Sequence, residues 1–234
     1  MNDKLEEYKE IQSIAKKVLN AIPQYISSES TEFDIAEKCK ELLKTYDITK
    51  TWYYNCPALV LLGSRSCLSI SGKDYIPSHE KVSSENLITI DLSPLLNNIW
   101  GDCSRSFVFE KGKFVEFNSI ESADFKEGLQ IENRLHTHFK NFVKIGMTYS
   151  QIYTEMNNQI KSLGYENLDF GGNVGHSIEI NKDDRLYFEK NNIKNLTSDK
   201  LFTFEPHIKK TGSKWGFKLE NIYYFDENGC VIEL

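Results

Sequence analysis

Basic runs, long apolar stretches and paired cysteine motifs are all missing from this 234-residue chain. Without a Lys/Arg-rich run, and with a formal net charge of −6, it lacks the electrostatic footprint for nucleic acid or an anionic bilayer. No stretch approaches the roughly 18 to 20 apolar residues that a membrane span requires. The opening MNDKLEEYKEIQSIAKK is charged from its first residues, unlike a leader peptide. These absences lead to the expectation of a cytoplasmic protein that acts on a small molecule or peptide, with neither nucleic acid nor membrane as partner. Cys39, Cys56, Cys67, Cys103 and Cys230 are odd in number, widely spaced and never arranged C-x-x-C, which argues against a disulfide framework and a zinc knuckle. No proline-rich, glycine-rich or polar linker divides the chain, so residues 1–234 are expected to form one domain. With 40% apolar and 26% charged residues it can bury a full core.

Two helices should open the protein. Leu5, Ile11, Ile14, Ala15, Val18, Leu19 and Ile22 recur at helical spacing. A second helix should start at Thr31, a good N-cap, with Ile35, Cys39, Leu42 and Leu43 as its apolar stripe. Ala58–Leu62, Leu87–Leu92 and Ser106–Phe109 are short, apolar and β-branched, and are read as buried strands, the last two flanking a turn at Asn97–Gly101. The helical pattern returns from Ser122 and again after Thr148. Aligning Thr31 with Thr148 sets Ile35 on Ile152, Cys39 on Met156 and Leu43 on Ile160, the mark of an internal repeat. LFTFEPHI, FKLENIYYF and GCVIEL supply further strands. The expected fold is therefore α+β, with two pseudo-symmetric halves, roughly 1–118 and 119–234, each of helices followed by antiparallel strands.

Asp91 ends one apolar run, and Asp102 precedes the next after ten intervening residues. A carboxylate at a buried strand end is costly unless it meets a cation or accepts hydrogen bonds, although either aspartate could instead serve a turn or a cap. His176 follows glycines in GGNVGHSIEI, while Glu205 and Glu220 are each embedded in an apolar segment, an unusual place for an unpaired glutamate. If these segments adjoin, one histidine and four carboxylates converge. Such an oxygen-rich set suits two divalent cations of the manganese, iron, cobalt or zinc kind.

In order and context, Asp91, Asp102, His176, Glu205 before proline and Glu220 resemble the pita-bread metallopeptidases, the family of methionine aminopeptidase, Xaa-Pro dipeptidase and aminopeptidase P. The resemblance covers nearly the whole chain, and FTFEP and LENIYYFDENG look closer to the Xaa-Pro dipeptidase branch. It implies that Asp91 chelates one metal, that His176 and Glu205 hold the other, and that Asp102 and Glu220 bridge them. A hydroxide shared by two ions about 3.5 to 4 Å apart would then attack the peptide carbonyl, with Glu205 taking the proton. A homodimer is compatible with this reading.

The chain departs from the family pattern at two helper histidines. Where the family has His before glycine, this chain has Ser71-Gly72, and seven positions after the metal histidine it has Asp183. A serine hydroxyl can donate a hydrogen bond but cannot relay a proton near neutral pH. His207, two positions after Glu205 and on the same face by strand alternation, is a candidate catalytic substitute. Arg185 and Lys218 could bind a substrate carboxylate, although isolated basic residues are more often solvated. Ser71, or a ring such as Tyr53 from the run Trp52-Tyr53-Tyr54, could line the substrate pocket. Two functions follow as expectations: a metal-dependent peptidase for small peptides, or a non-catalytic peptide-binding member of the same fold.

Overall fold

The computed structural model describes residues 2–234. Helices α1 (Asn2–Ala21) and α2 (Glu32–Lys44) open the chain, and α3 (Ala123–Phe142) and α4 (Tyr149–Ser162) open its second half. Each shorter helix begins at a threonine cap. Thr31 Oγ1 accepts from the Asp34 amide while the Asp34 carboxylate accepts from the Thr31 amide, and Thr148 makes the same reciprocal pair with Gln151. Ile35, Cys39 and Leu43 on α2 are buried, as are Ile152, Met156 and Ile160 on α4, so both aligned stripes face a core.

Between α2 and α3 run β1 (Lys50–Thr51), β2 (Ala58–Leu62), β3 (Asn86–Leu92), β4 (Pro94–Leu96), β5 (Ile99–Trp100), β6 (Cys103–Glu110) and β7 (Lys113–Val115). After α4 come β8 (Tyr165–Asn167), β9 (Phe202–Phe204), β10 (His207–Lys210), β11 (Gly216–Lys218), β12 (Asn221–Phe225) and β13 (Val231–Glu233). The sheets, in spatial order β2-β3-β6-β7, β1-β4-β5, β11-β10-β8 and β13-β12-β9, are antiparallel throughout. The expected turn between β3 and β6 is itself a small hairpin. Its corner is Asn97-Asn98, whose φ values of 51° and 63° lie in the left-handed region that asparagine tolerates.

The second half explains why two glutamates sit inside apolar segments. β9 pairs with β12 and β10 with β11, with Phe204 opposite Asn221 and His207 opposite Lys218. The chain changes sheets between those registers, at Glu205-Pro206 on one side and Leu219-Glu220 on the other. Pro206 has no amide to continue the ladder, so the break is written into the sequence. Glu205 and Glu220 therefore stand across from each other at the seam between two sheets.

Two apolar cores hold these layers. One gathers α1, α2, β2 and β3; the other gathers α3, α4, β9 and β12. Each borrows from the opposite half: Ile178 and Ile222 enter the first core, Leu87 and Val108 the second. All five cysteines are unpaired. Among the described residues no helix is long and apolar enough to cross a membrane.

Glu132 on α3 is 1% exposed, and neither of its carboxylate oxygens has a partner. Burial pushes this carboxyl well above its ordinary value, with Lys218 only partly opposing the shift. The folded state then holds a proton that the unfolded state releases, so Glu132 weakens the fold as pH rises above its ordinary value of 4.5. Glu132→Gln, neutral at every pH, should therefore raise the melting temperature at pH 8 by more than at pH 5. Melting curves of both proteins at the two pH values test this, and a gain independent of pH would exclude a buried carboxyl as its source.

Candidate metal centre

Asp91 stands near the end of β3, directly opposite Ser104 of β6, and Asp102 lies just before β6 begins. The Asp102 backbone is clamped by Gln12 of α1. The Gln12 amide donates to the Asp102 carbonyl at 2.8 Å, and the Asp102 amide donates to Gln12 Oε1 at 3.1 Å. Gln12 is fully buried within the apolar stripe of α1, where only a paired amide is tolerated.

His176 arrives on a segment that crosses β9. Its amide donates to Thr203 Oγ1 at 3.0 Å, and Thr203 N donates to the His176 carbonyl at 2.7 Å. The ring Nδ1 bonds the Ser177 carbonyl at 3.0 Å and must therefore carry the proton there. Nε2 points into the site, 3.4 Å from Asp102 Oδ2 and 3.5 Å from Glu205 Oε1. Trp52 and Trp100 wall the ring, with centroids 6.2 and 6.0 Å away. Glu205 is fixed through its amide to the Val174 carbonyl at 2.9 Å. Glu220 is fixed by a bridge with Ser104 and by Arg105, whose guanidinium donates to the Glu220 carbonyl at 2.8 Å.

The five sequence-predicted ligands thus converge, but not equivalently. Asp102, His176 and Glu220 each offer one ligand atom within 4.8 Å of the others, and all three are buried. Glu220 is 1% exposed, and neither of its carboxylate oxygens has a hydrogen-bond partner among the described residues. A buried carboxylate without a hydrogen-bond partner, facing an imidazole and a second carboxylate, fits a divalent cation. Without one, burial and then the repulsion of Asp102 and Glu205 drive the Glu220 carboxyl far up. Burial raises Asp102 to about 6, helped by Asp91 and Glu205 and opposed by His176.

Asp91 has a different neighbour. Lys218, at the end of β11, places its ammonium 2.6 Å from Asp91 Oδ2, 3.1 Å from Glu205 Oε2 and 3.6 Å from Glu220 Oε2. Although burial disfavours the charge, Asp91, Glu220 and Glu205 hold the Lys218 ammonium well above its ordinary value. Burial would likewise raise Glu205, yet Lys218, His176 and Arg185 keep it below the usual carboxylate range. Lys218 is thus one of the charges that define the centre.

Asp91, Asp102, His176, Glu205 and Lys218 line a cavity of about 570 Å³, which Tyr53, Arg185 and His207 also reach. His207 is buried, and its Nε2 donates to the Ser66 carbonyl at 2.6 Å, leaving only Nδ1 for other work. Burial holds this histidine down at about 4, so it is neutral at physiological pH. Arg185 stacks among Trp52 and Tyr187, 5.0 and 5.2 Å from the ring centroids. It donates to the Lys182 carbonyl at 2.6 Å, and Nη1 lies 3.4 Å from His176 Nε2. Ser71 is not on the cavity wall. It stands behind Tyr53, within 3.5 Å of that hydroxyl, while Ser69 lines the cavity and donates to Asp169 at 2.7 Å. The Ser69–Asp169 pair joins segments 100 residues apart, and no local pattern announced it.

The fold is shared with solved structures across the whole chain. An X-Pro aminopeptidase from Thermotoga maritima MSB8 matches with a TM-score of 0.82 and 19% identity, over 100% of this chain and 61% of that one. An Xaa-Pro dipeptidase from Bacillus anthracis gives 0.82, 19%, 100% and 60%. A methionine aminopeptidase from Rickettsia prowazekii gives 0.74 and 13%, over 100% of this chain and 97% of that one. The chain spans about three fifths of the length of the first two. These are pita-bread proteins, the α+β architecture expected from the sequence. No curated protein matches the sequence. The model of metallopeptidase family M24 matches residues 6–227, nearly the full length, and the chain belongs to that family.

Proposed function

We propose that this chain is a metal-dependent hydrolase of small peptides. The observation that carries the reading is the buried carboxylate of Glu220, without a hydrogen-bond partner among the described residues, beside Asp102 and Nε2 of His176. Asp102, His176 and Glu220 would hold a divalent ion of the manganese, cobalt, iron or zinc kind, with Glu205 adjoining them. A cation held there supplies Lewis acidity, which polarises a peptide carbonyl and strengthens water as a nucleophile. Glu205, kept ionised by Lys218 and His176, is the group able to accept a proton. His207 donates to Ser66 and contributes to this chemistry mainly by shaping the pocket. Arg185 has no carboxylate partner among the described residues and faces the cavity, which suits the carboxylate of a short peptide, with Tyr53 beside its backbone. A second ion on Asp91, as the family resemblance implies, would have to share that carboxylate with Lys218.

The non-catalytic reading also draws on an observation: no free histidine stands at Ser71 or Asp183, and His207 is tied down. One experiment separates the two. Purified protein supplied with Mn²⁺ or Co²⁺ is expected to cleave at least one member of a panel of dipeptides and Xaa-Pro peptides, and to stop when the ion is chelated. Metal-loaded protein that binds those peptides but cleaves none would establish recognition instead.

A further inference from the structure

Lys218 is held in place from both sides. Ser106 Oγ donates to the Lys218 carbonyl at 3.0 Å, and the Lys218 amide donates back to the same oxygen at 2.9 Å. This pins the residue at the end of β11, where His207 is its cross-strand partner. Its side chain is 20% exposed, and its ammonium meets carboxylates from three separate segments: Asp91 of β3, Glu205 after β9, and Glu220 before β12. Asp91, for its part, has no other side-chain partner among the described residues. A lysine on a solvated surface does not hold an ammonium among three carboxylates. The arrangement is that of a cation in a coordination site, built from the chain itself.

The charges agree. Asp91, Asp102, Glu205 and Glu220 carry four negative charges when all are ionised; one divalent ion and the Lys218 ammonium neutralise three of them. A second divalent ion beside Asp91 would have to share that carboxylate with the Lys218 ammonium or displace it. Repulsion between two cations in a buried site is weakly screened.

We propose that the Lys218 ammonium is the resident second cation of this centre: the chain holds one divalent ion, on Asp102, His176 and Glu220, and Lys218 fills the position beside Asp91. This rests on the metal-dependent reading above, and it assigns the centre as mononuclear. Asp91 then serves to hold Lys218.

The test uses the full chain saturated with Mn²⁺, with metal content measured after dialysis and the electron paramagnetic resonance spectrum recorded. Wild type is expected to retain one ion per chain and to give the six-line signal of isolated Mn²⁺. Lys218→Met, similar in length and uncharged, is expected to retain two ions with a spin-coupled spectrum, the second held at least about tenfold more tightly than in wild type. Two ions with a coupled spectrum in wild type overturn the proposal and leave the metal-dependent reading standing. A single ion in both proteins also overturns it. If wild type retains no ion, the metal-dependent reading itself fails, and this inference with it. Should Lys218→Met not fold, the wild-type spectrum still decides, and Lys218→Gln provides a second neutral variant.

Discussion

Asp102→Ala should abolish the stabilisation that a divalent ion confers and lower kcat/KM for any cleaved peptide by at least about 100-fold, the upper end of what outer-sphere partners of a metal are worth. Asp102 is 4% exposed, and its carboxylate is the one nearest Nε2 of His176. The ion-free protein should not suffer. Removing one of several mutually repelling buried carboxylates relieves the strain that drives Asp102 up to about 6, so the apo variant should melt no lower than apo wild type. Wild type with the ion at about 100 times its dissociation constant gains roughly 2.7 kcal/mol, or about 5 to 11 °C for a chain of this length. The variant should gain almost nothing. Melting curves with and without Mn²⁺, read beside elemental analysis, therefore separate loss of a ligand from loss of the fold. Equal metal content in the two proteins would sink the proposed centre.

Local chemistry explains which features of this molecule could be read in advance. Thr31 and Thr148 announce their helices because a cap acts over three residues. β2 and β3 announce themselves because strands buried on both faces leave continuous apolar runs. Glu205 and Glu220 stand out because carboxylates rarely interrupt such runs, and Pro206 marks the sheet break beside one of them. What stayed hidden depends on distant segments. Gln12 reads as one polar residue on a helix until Asp102, 90 positions away, supplies its partner. Glu32 reads as an ordinary first-turn acid, yet it is fully buried against Arg65 at 2.8 Å and also accepts from the amides of Leu62 and Ser78. In the sequence alone Lys218 reads as a surface charge or a ligand for a substrate carboxylate. The available signal was its spacing of two from Glu220, which under strand alternation sends both side chains the same way. Ser71 stands off the cavity wall for a similar reason. The loop from Leu68 to Ser71 turns so that Ser69 and Ile70 reach the cavity, and backbone direction within a loop is not periodic.

Gly175→Ala should cost more stability than any surface change, on the order of 3 kcal/mol, or roughly 6 to 12 °C in melting temperature for a chain of this size. Gly175 has a φ of +149°, outside the regions that side-chain-bearing residues favour, and a Cβ there would lie 2.4 Å from the Thr203 carbonyl oxygen and 3.0 Å from the Phe188 ring. Thr203 cannot retreat, because it is the strand against which the segment is laced: Thr203 N donates to the His176 carbonyl and Glu205 N to the Val174 carbonyl. The clash would thus pry apart the two backbones that carry His176 and Glu205, so metal affinity should fall together with stability. Gly146→Ala supplies the control. Its φ of +88° carries a conformational cost of about 1 to 2 kcal/mol, but nothing lies within 4 Å of the added methyl, and it is remote from the ligands in sequence. Gly146→Ala should therefore keep its Mn²⁺ affinity while Gly175→Ala loses it. If Gly175→Ala melted like Gly146→Ala and bound Mn²⁺ as wild type does, the close crossing at Thr203 would not be what positions His176. The expected loss would show that the ligand set depends on a glycine that touches no metal, because only hydrogen there lets two ligand-bearing strands approach.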